Sequence, residues 1–245
     1  MSDDTPRLDM TAFFTLHRDL PREGPGEPAD IEWAAGVAGT PRNAQMADVG
    51  CGPGADIGSL LSVAPEGHVT ALDKTAQFVE AARERYAGDG RVTILRADMA
   101  RIKNQYDLIW CAGAVYFLGV TEALSGWRKS ILPGGVVAFS EACWFTEQRP
   151  ERAQAYFAAE YPTMTDEAGV LEKVSAAGYE VLGTRRLQDA AWEAYFQPIE
   201  ARIAMLRAGA DAALTEVLDE AEEEIAVWRA HRDAFGYLLT VARPA

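Results

Sequence analysis

From Ala44 onward, short apolar runs alternate with stretches whose apolar residues recur at helical spacing, the pattern of parallel strands crossed by helices. Met46–Val49, Val69–Leu72, Val92–Leu95, Leu108–Cys111 and Val136–Phe139 read as the first five strands. Between them, Ile57, Leu60 and Leu61, then Phe78, Val79, Ala82 and Tyr86, then Leu124, Trp127 and Ile131 mark helices, and Pro133-Gly134-Gly135 predicts a turn into the fifth strand. Past Glu141 the regularity loosens from Trp144 to Tyr161, and a helix carrying Val170, Leu171 and Val174 ends at Gly178. Tyr179–Leu187 and Tyr237–Ala242 read as a sixth and a seventh strand, separated by a helical insertion over 188–234. Within the insertion, Leu214, Val217, Leu218, Ala221, Ile225 and Trp228 form one stripe, while Asp219, Glu220, Glu222, Glu223 and Glu224 are expected on a solvated face. Ahead of the strands, residues 1–40 form a helical segment, with short helices at Phe13–Leu16 and from Ile31. The Pro21–Pro28 loop between them is either a connector or part of a lid. The expected fold is α/β: a single domain over 1–245 with a doubly wound seven-stranded sheet, mostly parallel with an antiparallel last strand, and the helical insertion before that strand.

Composition narrows the ligands. The 245 residues are 49% hydrophobic and 24% charged, as in an ordinary globular domain, and carry a formal net charge of -14. Such a field repels polyphosphates, so no nucleic-acid partner is expected and a small molecule fits better. No apolar stretch approaches the ~20 residues that span a bilayer, and the start, Met1-Ser-Asp-Asp-Thr-Pro, is acidic where a secretory signal is basic. No membrane association and a cytoplasmic location are therefore expected. Cys51, Cys111 and Cys143 lack metal-ligand spacing and read as reduced structural thiols, with no metal site.

The chemistry concentrates in Asp48-Val49-Gly50-Cys51-Gly52-Pro53-Gly54, placed where the first strand turns into the first helix. Gly50, Gly52 and Gly54 let the backbone approach a ligand, with Cys51 between them, and the following helix N-terminus is expected to offer free N–H groups to a carboxylate. Counting Ala55, the segment also fits G-x-G-x-x-A, so a nicotinamide dinucleotide in a Rossmann-like domain is one reading. Asp73, 23 residues beyond Gly50, suits ribose hydroxyls in either reading. Asp98 can accept from an adenine amino group while Met99 covers the ring. Asp48 suits a ligand bearing an ammonium and a sulfonium. These features, with the strand order, favour S-adenosylmethionine.

Through Asp48–Gly54, Asp73, Asp98-Met99 and Pro133-Gly134-Gly135, residues 40–187 resemble the class I S-adenosylmethionine-dependent methyltransferases. Arg22-Glu-Gly-Pro-Gly26, Ile109–Gly119 and Ser140–Pro150 further resemble a group of small bacterial members of that family. The resemblance implies a Rossmann-like fold and places Cys111, Ala112 and Gly113 beside the methionine portion of the cofactor. Lys74 departs from it, standing after Asp73 where an apolar residue is common. Methyl transfer needs no covalent nucleophile, only orientation, water exclusion and in some cases a base. Glu141, at the end of the fifth strand, is the candidate base, with Tyr116 after the fourth strand beside it, since open α/β sheets collect ligands at that edge. Glu141 paired with an arginine, and Tyr116 merely packed, is the competing account. Trp144, Phe145, Trp192, Tyr195 and Phe196 either roof the acceptor pocket or fill the core, and His17 is the histidine placed to fold over the site. The expected activity is methylation of a small-molecule acceptor; the rivals are a nicotinamide-dependent oxidoreductase and a non-catalytic cofactor-binding protein. Oligomeric state is not read from the sequence.

Overall fold

The computed structural model describes residues 9–245. The acidic start and the rest of 1–8 lie outside the described residues. Two short helices, α1 (Met10–Leu16) and α2 (Pro28–Ala38), precede β1 (Gln45–Val49), α3 (Ile57–Val63), β2 (His68–Asp73), α4 (Ala76–Arg85), β3 (Val92–Arg96) and β4 (Tyr106–Cys111). There follow α5 (Val120–Trp127), β5 (Ile131–Trp144), α6 (Glu151–Glu160), α7 (Glu167–Ala176), β6 (Tyr179–Arg186), α8 (Asp189–Leu206), α9 (Ala212–His231) and β7 (Phe235–Pro244).

The seven strands form one sheet in the order β3-β2-β1-β4-β5-β7-β6. β1 through β5 pair in parallel, and β7 lies antiparallel between β5 and β6. Both faces are covered, which is why the inner strands read as unbroken apolar runs. Met46, Val69, Leu108 and Val136 enter one core with α3, α8 and α9. Ala47, Val49, Ile109, Val137 and Phe139 enter the other with α5 and α7. Because the parallel strands all point one way, the ends of β1, β2 and β4 and the loops after them share one rim of the sheet.

Four expectations are corrected. Pro133-Gly134-Gly135 is no turn before the strand: Ile131 already pairs with Tyr106, and Val136 pairs with Leu108, so the segment is an irregularity inside β5, with Gly134 at φ 83°. Ile131 therefore belongs to β5 rather than to the preceding helix. The strand also runs on to Trp144, because β7 supplies partners as far as Trp144↔Phe235, so Glu141 lies three residues before its end. Residues 151–160 are helical where irregular chain was expected. No helix among the described residues is long and apolar enough to cross a membrane.

Candidate functional site

The glycine turn follows β1 directly and is laced to its neighbours. The N–H groups of Gly50 and Cys51 both donate to the Leu72 carbonyl, at 2.9 and 3.0 Å. Gly50 stands at φ 76°, and a Cβ there would meet the Ala114 Cβ at 2.7 Å, so the turn and the loop after β4 touch. At Gly54, φ 80°, a Cβ would press on Ile57 at 3.0 Å and Ala82 at 3.2 Å. Asp73 ends β2 half-buried; its carboxylate accepts from the Gly52 N–H at 3.1 Å and the Thr75 N–H at 2.7 Å. Each oxygen keeps a second lone pair for a ligand hydroxyl.

Asp48 is 3% exposed, and its Oδ2 has no hydrogen-bond partner among the described residues. Burial, then the charges of Asp56 and Asp73, hold its carboxyl well above the usual range. An acid in that state asks for a cation or a donor. The helix N-terminus differs from expectation, because α3 begins only at Ile57, after a run of turns. Its Gly58 N–H donates to the Tyr86 hydroxyl at 3.0 Å. Asp56 before it accepts from the Trp110 indole N–H at 2.9 Å and from Arg22 at 3.3 Å. That first turn thus carries an acid and a satisfied amide, and is not an open seat for a carboxylate.

Asp98 is exposed and accepts from the Ala100 N–H at 2.9 Å, capping the short turn 99–101. Met99 is half-buried against the core beside Trp127, whose indole N–H donates to the Met99 carbonyl at 2.8 Å. The Lys74 ammonium stands 5.1 Å from the Phe117 ring centroid, so the departure after Asp73 is a cation resting on an aromatic face. Cys51 and Cys111 are buried, and burial with nearby carboxylates pushes both thiols up, so neither is a nucleophile. Ala112 is half-buried, and Gly113, φ 61°, donates its N–H to Ser140 Oγ at 2.8 Å.

A further carboxylate was missed by sequence reasoning. Glu23 lies 3.4 Å from where a Gly52 Cβ would stand, and it bonds His17 Nδ1 at 2.6 Å. Its buried Oε1 has no partner among the described residues, and burial raises its carboxyl against the opposing pull of His17. His17 is stacked on Phe13 at 3.9 Å and meets the rim through this bond to Glu23. Arg202 of α8 holds this segment by donating to the Thr15 and Leu16 carbonyls at 2.6 and 3.3 Å, satisfying the last carbonyls of α1. The signal was Glu23 inside Arg22–Gly26, a stretch read as a connector or lid and as part of the resemblance, with no role given to its carboxylate.

On the opposite side of the rim, Glu141 is 1% exposed. The Tyr161 hydroxyl donates to its Oε1, while Oε2 has no partner among the described residues. Burial pushes the Glu141 carboxyl up to about 7, against the opposing effects of Tyr161 and Lys173. Among the described residues no arginine pairs with it; Tyr161, in a stretch without periodicity, was not foreseen. Tyr116 is 40% exposed, so it does not merely pack in the core; its ring lies 5.9 Å from that of Tyr161, and local desolvation, then Glu224 and Glu141, push its hydroxyl up to about 12. Trp144, Trp192, Tyr195 and Phe196 are all buried core residues, Trp192 stacking on both Trp228 and Tyr237 at 5.1 and 5.2 Å, and Phe145 is half-buried against the other core. The Tyr237 hydroxyl lies 3.7 Å from where a Gly113 Cβ would be. Glu224 is not on the solvated face. It follows Val217 by seven residues and precedes Trp228 by four, which puts it on the inner stripe. There, burial and Glu160 push its carboxyl up to about 7.

A protein-family model described as a methyltransferase domain matches residues 46–135, which hold the glycine turn, Asp73, Asp98 and β4. That stretch, a little over a third of the chain, is similar to a methyltransferase domain. Beyond it, the chain is 36% identical over 121 residues to malonyl-[acyl-carrier protein] O-methyltransferase of Salmonella typhimurium, covering 48% of this chain and 45% of that protein. It is 33% identical over 113 residues to trans-aconitate 2-methyltransferase of Streptomyces avermitilis, covering 43% and 42%. The chain thus spans less than half the length of the curated relatives it matches. The fold is shared with a SAM-dependent methyltransferase of Geobacter sulfurreducens solved with S-adenosyl-L-homocysteine. That match has TM-score 0.79 at 19% identity, over 96% of this chain and 98% of that one.

Proposed function

We propose that the chain binds S-adenosylmethionine at the rim and transfers its methyl group to a small-molecule acceptor. The observation that carries this reading is a pair of carboxylates beside the glycine turn, buried Asp48 and half-buried Glu23, each with a buried oxygen that has no partner among the described residues. A neighbouring cation favours the ionised form of both raised acids, so the ammonium and sulfonium of S-adenosylmethionine are stabilised there. The pyrophosphate of a nicotinamide dinucleotide instead raises them further, so the oxidoreductase reading is the poorer fit. Gly50, Cys51, Gly52 and Gly54 form the backbone cradle, Asp73 takes the ribose hydroxyls, and Asp98 with Met99 and the Lys74–Phe117 pair frames the adenine. Cys111, Ala112 and Gly113 border the methionine portion.

When bound, the cofactor supplies a methyl group already activated by its sulfonium. The protein's part is to orient the acceptor, exclude water and remove a proton. Glu141, held by Tyr161 and raised toward neutrality, is placed to take that proton on Oε2, with Tyr116 bounding the same space. The three buried, unpaired thiols are in keeping with a cytoplasmic setting, and the net charge of -14 with a small acceptor rather than nucleic acid.

Calorimetric titration with S-adenosylmethionine and with nicotinamide dinucleotides tests this reading. Binding of the first alone, lost in Asp73→Ala and in Gly52→Val, is the expected outcome; unaltered affinity in both variants overturns the site.

A further inference from the structure

The acceptor side of the rim has a definite polarity. Glu141 is 1% exposed, one oxygen engaged by Tyr161 and the other unpartnered among the described residues. A buried oxygen left in that condition is costly unless a ligand group satisfies it. The Tyr116 ring adjoins Tyr161 at 5.9 Å, and the Tyr237 hydroxyl adjoins Gly113 in the loop that borders the cofactor's methionine portion. The remaining charges acting on this space are predominantly acidic. Glu224, Glu141 and Glu160 all raise the Tyr116 hydroxyl, and Glu224 acts likewise on Tyr156, Tyr195 and Tyr237. The cation acting on Glu141 is Lys173, from α7, and it makes no ion pair with that carboxylate.

We propose that the acceptor is a small amine, its protonated nitrogen seated between the free oxygen of Glu141 and the rings of Tyr116 and Tyr161, and that this nitrogen receives the methyl group. The inference rests on the methyltransferase reading above and names its substrate class. Tyrosine faces and a buried carboxylate together form a favourable setting for a desolvated cation, whereas a carboxylate acceptor would meet three acids. Glu141 Oε2 takes one proton from the ammonium, which frees the nitrogen lone pair. That pair forms the N–C bond as the C–S bond breaks toward sulfur, and the positive charge passes from sulfur to the methylated nitrogen. The near-neutral Glu141 carboxyl suits that exchange.

The test uses the full chain with methyl-labelled S-adenosylmethionine and a bacterial small-metabolite extract separated by ion exchange at pH 7 into cationic, neutral and anionic fractions. Label is expected in a product from the cationic fraction. It should fall by about tenfold or more in Glu141→Gln, with S-adenosylmethionine affinity unchanged within about twofold. Tyr161→Phe, which removes only the hydroxyl, should give a smaller loss in the same fraction and guards against a folding defect in the first variant. Label confined to the anionic or neutral fraction, no label from any fraction, or full labelling by folded Glu141→Gln overturns the amine acceptor. Failure of the wild-type chain to bind S-adenosylmethionine in calorimetry would instead remove the methyltransferase reading beneath it.

Discussion

Replacing Glu141 by glutamine separates what this residue costs the fold from what it does for the reaction. Glutamine has nearly the same shape and keeps an oxygen to accept from Tyr161, but it cannot ionise. In the folded protein the Glu141 carboxyl is raised from 4.5 to about 7, with burial as the leading cause, and at 1% exposure solvent hardly screens it. A carboxyl raised in this sense is fully stabilising, in relative terms, below its unfolded value near 4.5; that stability is lost as pH rises through about 7, because the folded state then has to ionise a buried acid. Linkage puts the ionisation cost at about 1 kcal/mol at pH 5 and about 3 kcal/mol at pH 8. Urea unfolding of ligand-free wild type and Glu141→Gln at the two pH values should therefore show the variant gaining about 2–3 kcal/mol relative to wild type on going from pH 5 to pH 8. An equal difference at both pH values would refute the buried, near-neutral carboxyl and the proton-accepting role built on it.

Gly50→Ala should lower stability by about 1–3 kcal/mol, because it combines a left-handed backbone with a Cβ 2.7 Å from Ala114; a melting temperature equal to wild type would contradict the close contact of the two loops. Trp110→Phe removes the indole donor to Asp56 and should cost about 1–3 kcal/mol, read by urea unfolding, while loosening cofactor binding at the adjacent turn. Arg202→Ala releases two carbonyls at the end of α1 and should speed amide hydrogen exchange over residues 10–17 while leaving β1 and β4 protected.

The parallel half of the sheet is legible in the sequence because β1, β2 and β4 are buried on both faces and so read as short apolar runs, each ending near a residue with chemistry: the glycine turn, Asp73, Cys111. Much less of the acceptor side is legible. β5 runs beyond Phe139 only because β7, almost a hundred residues later in the chain, offers it partners. Tyr161 reaches Glu141 across twenty residues that show no periodicity. Glu224 sat inside an acidic run whose average character concealed one member at the inward helical position. Glu23 owes its place over Gly52 to the docking of α1 on α8, a tertiary contact that no local pattern announces.

The placement of β7 has a kinetic consequence. β6 pairs with β7 and not with β5, and the α8–α9 pair separates β6 from β7 in the chain. Until β7 docks, two strand edges stand open, one of them the extended stretch that carries Glu141. Closing that gap is a long-range event, so refolding should be slowest at this step, and species with unpaired edges are where association between chains would begin.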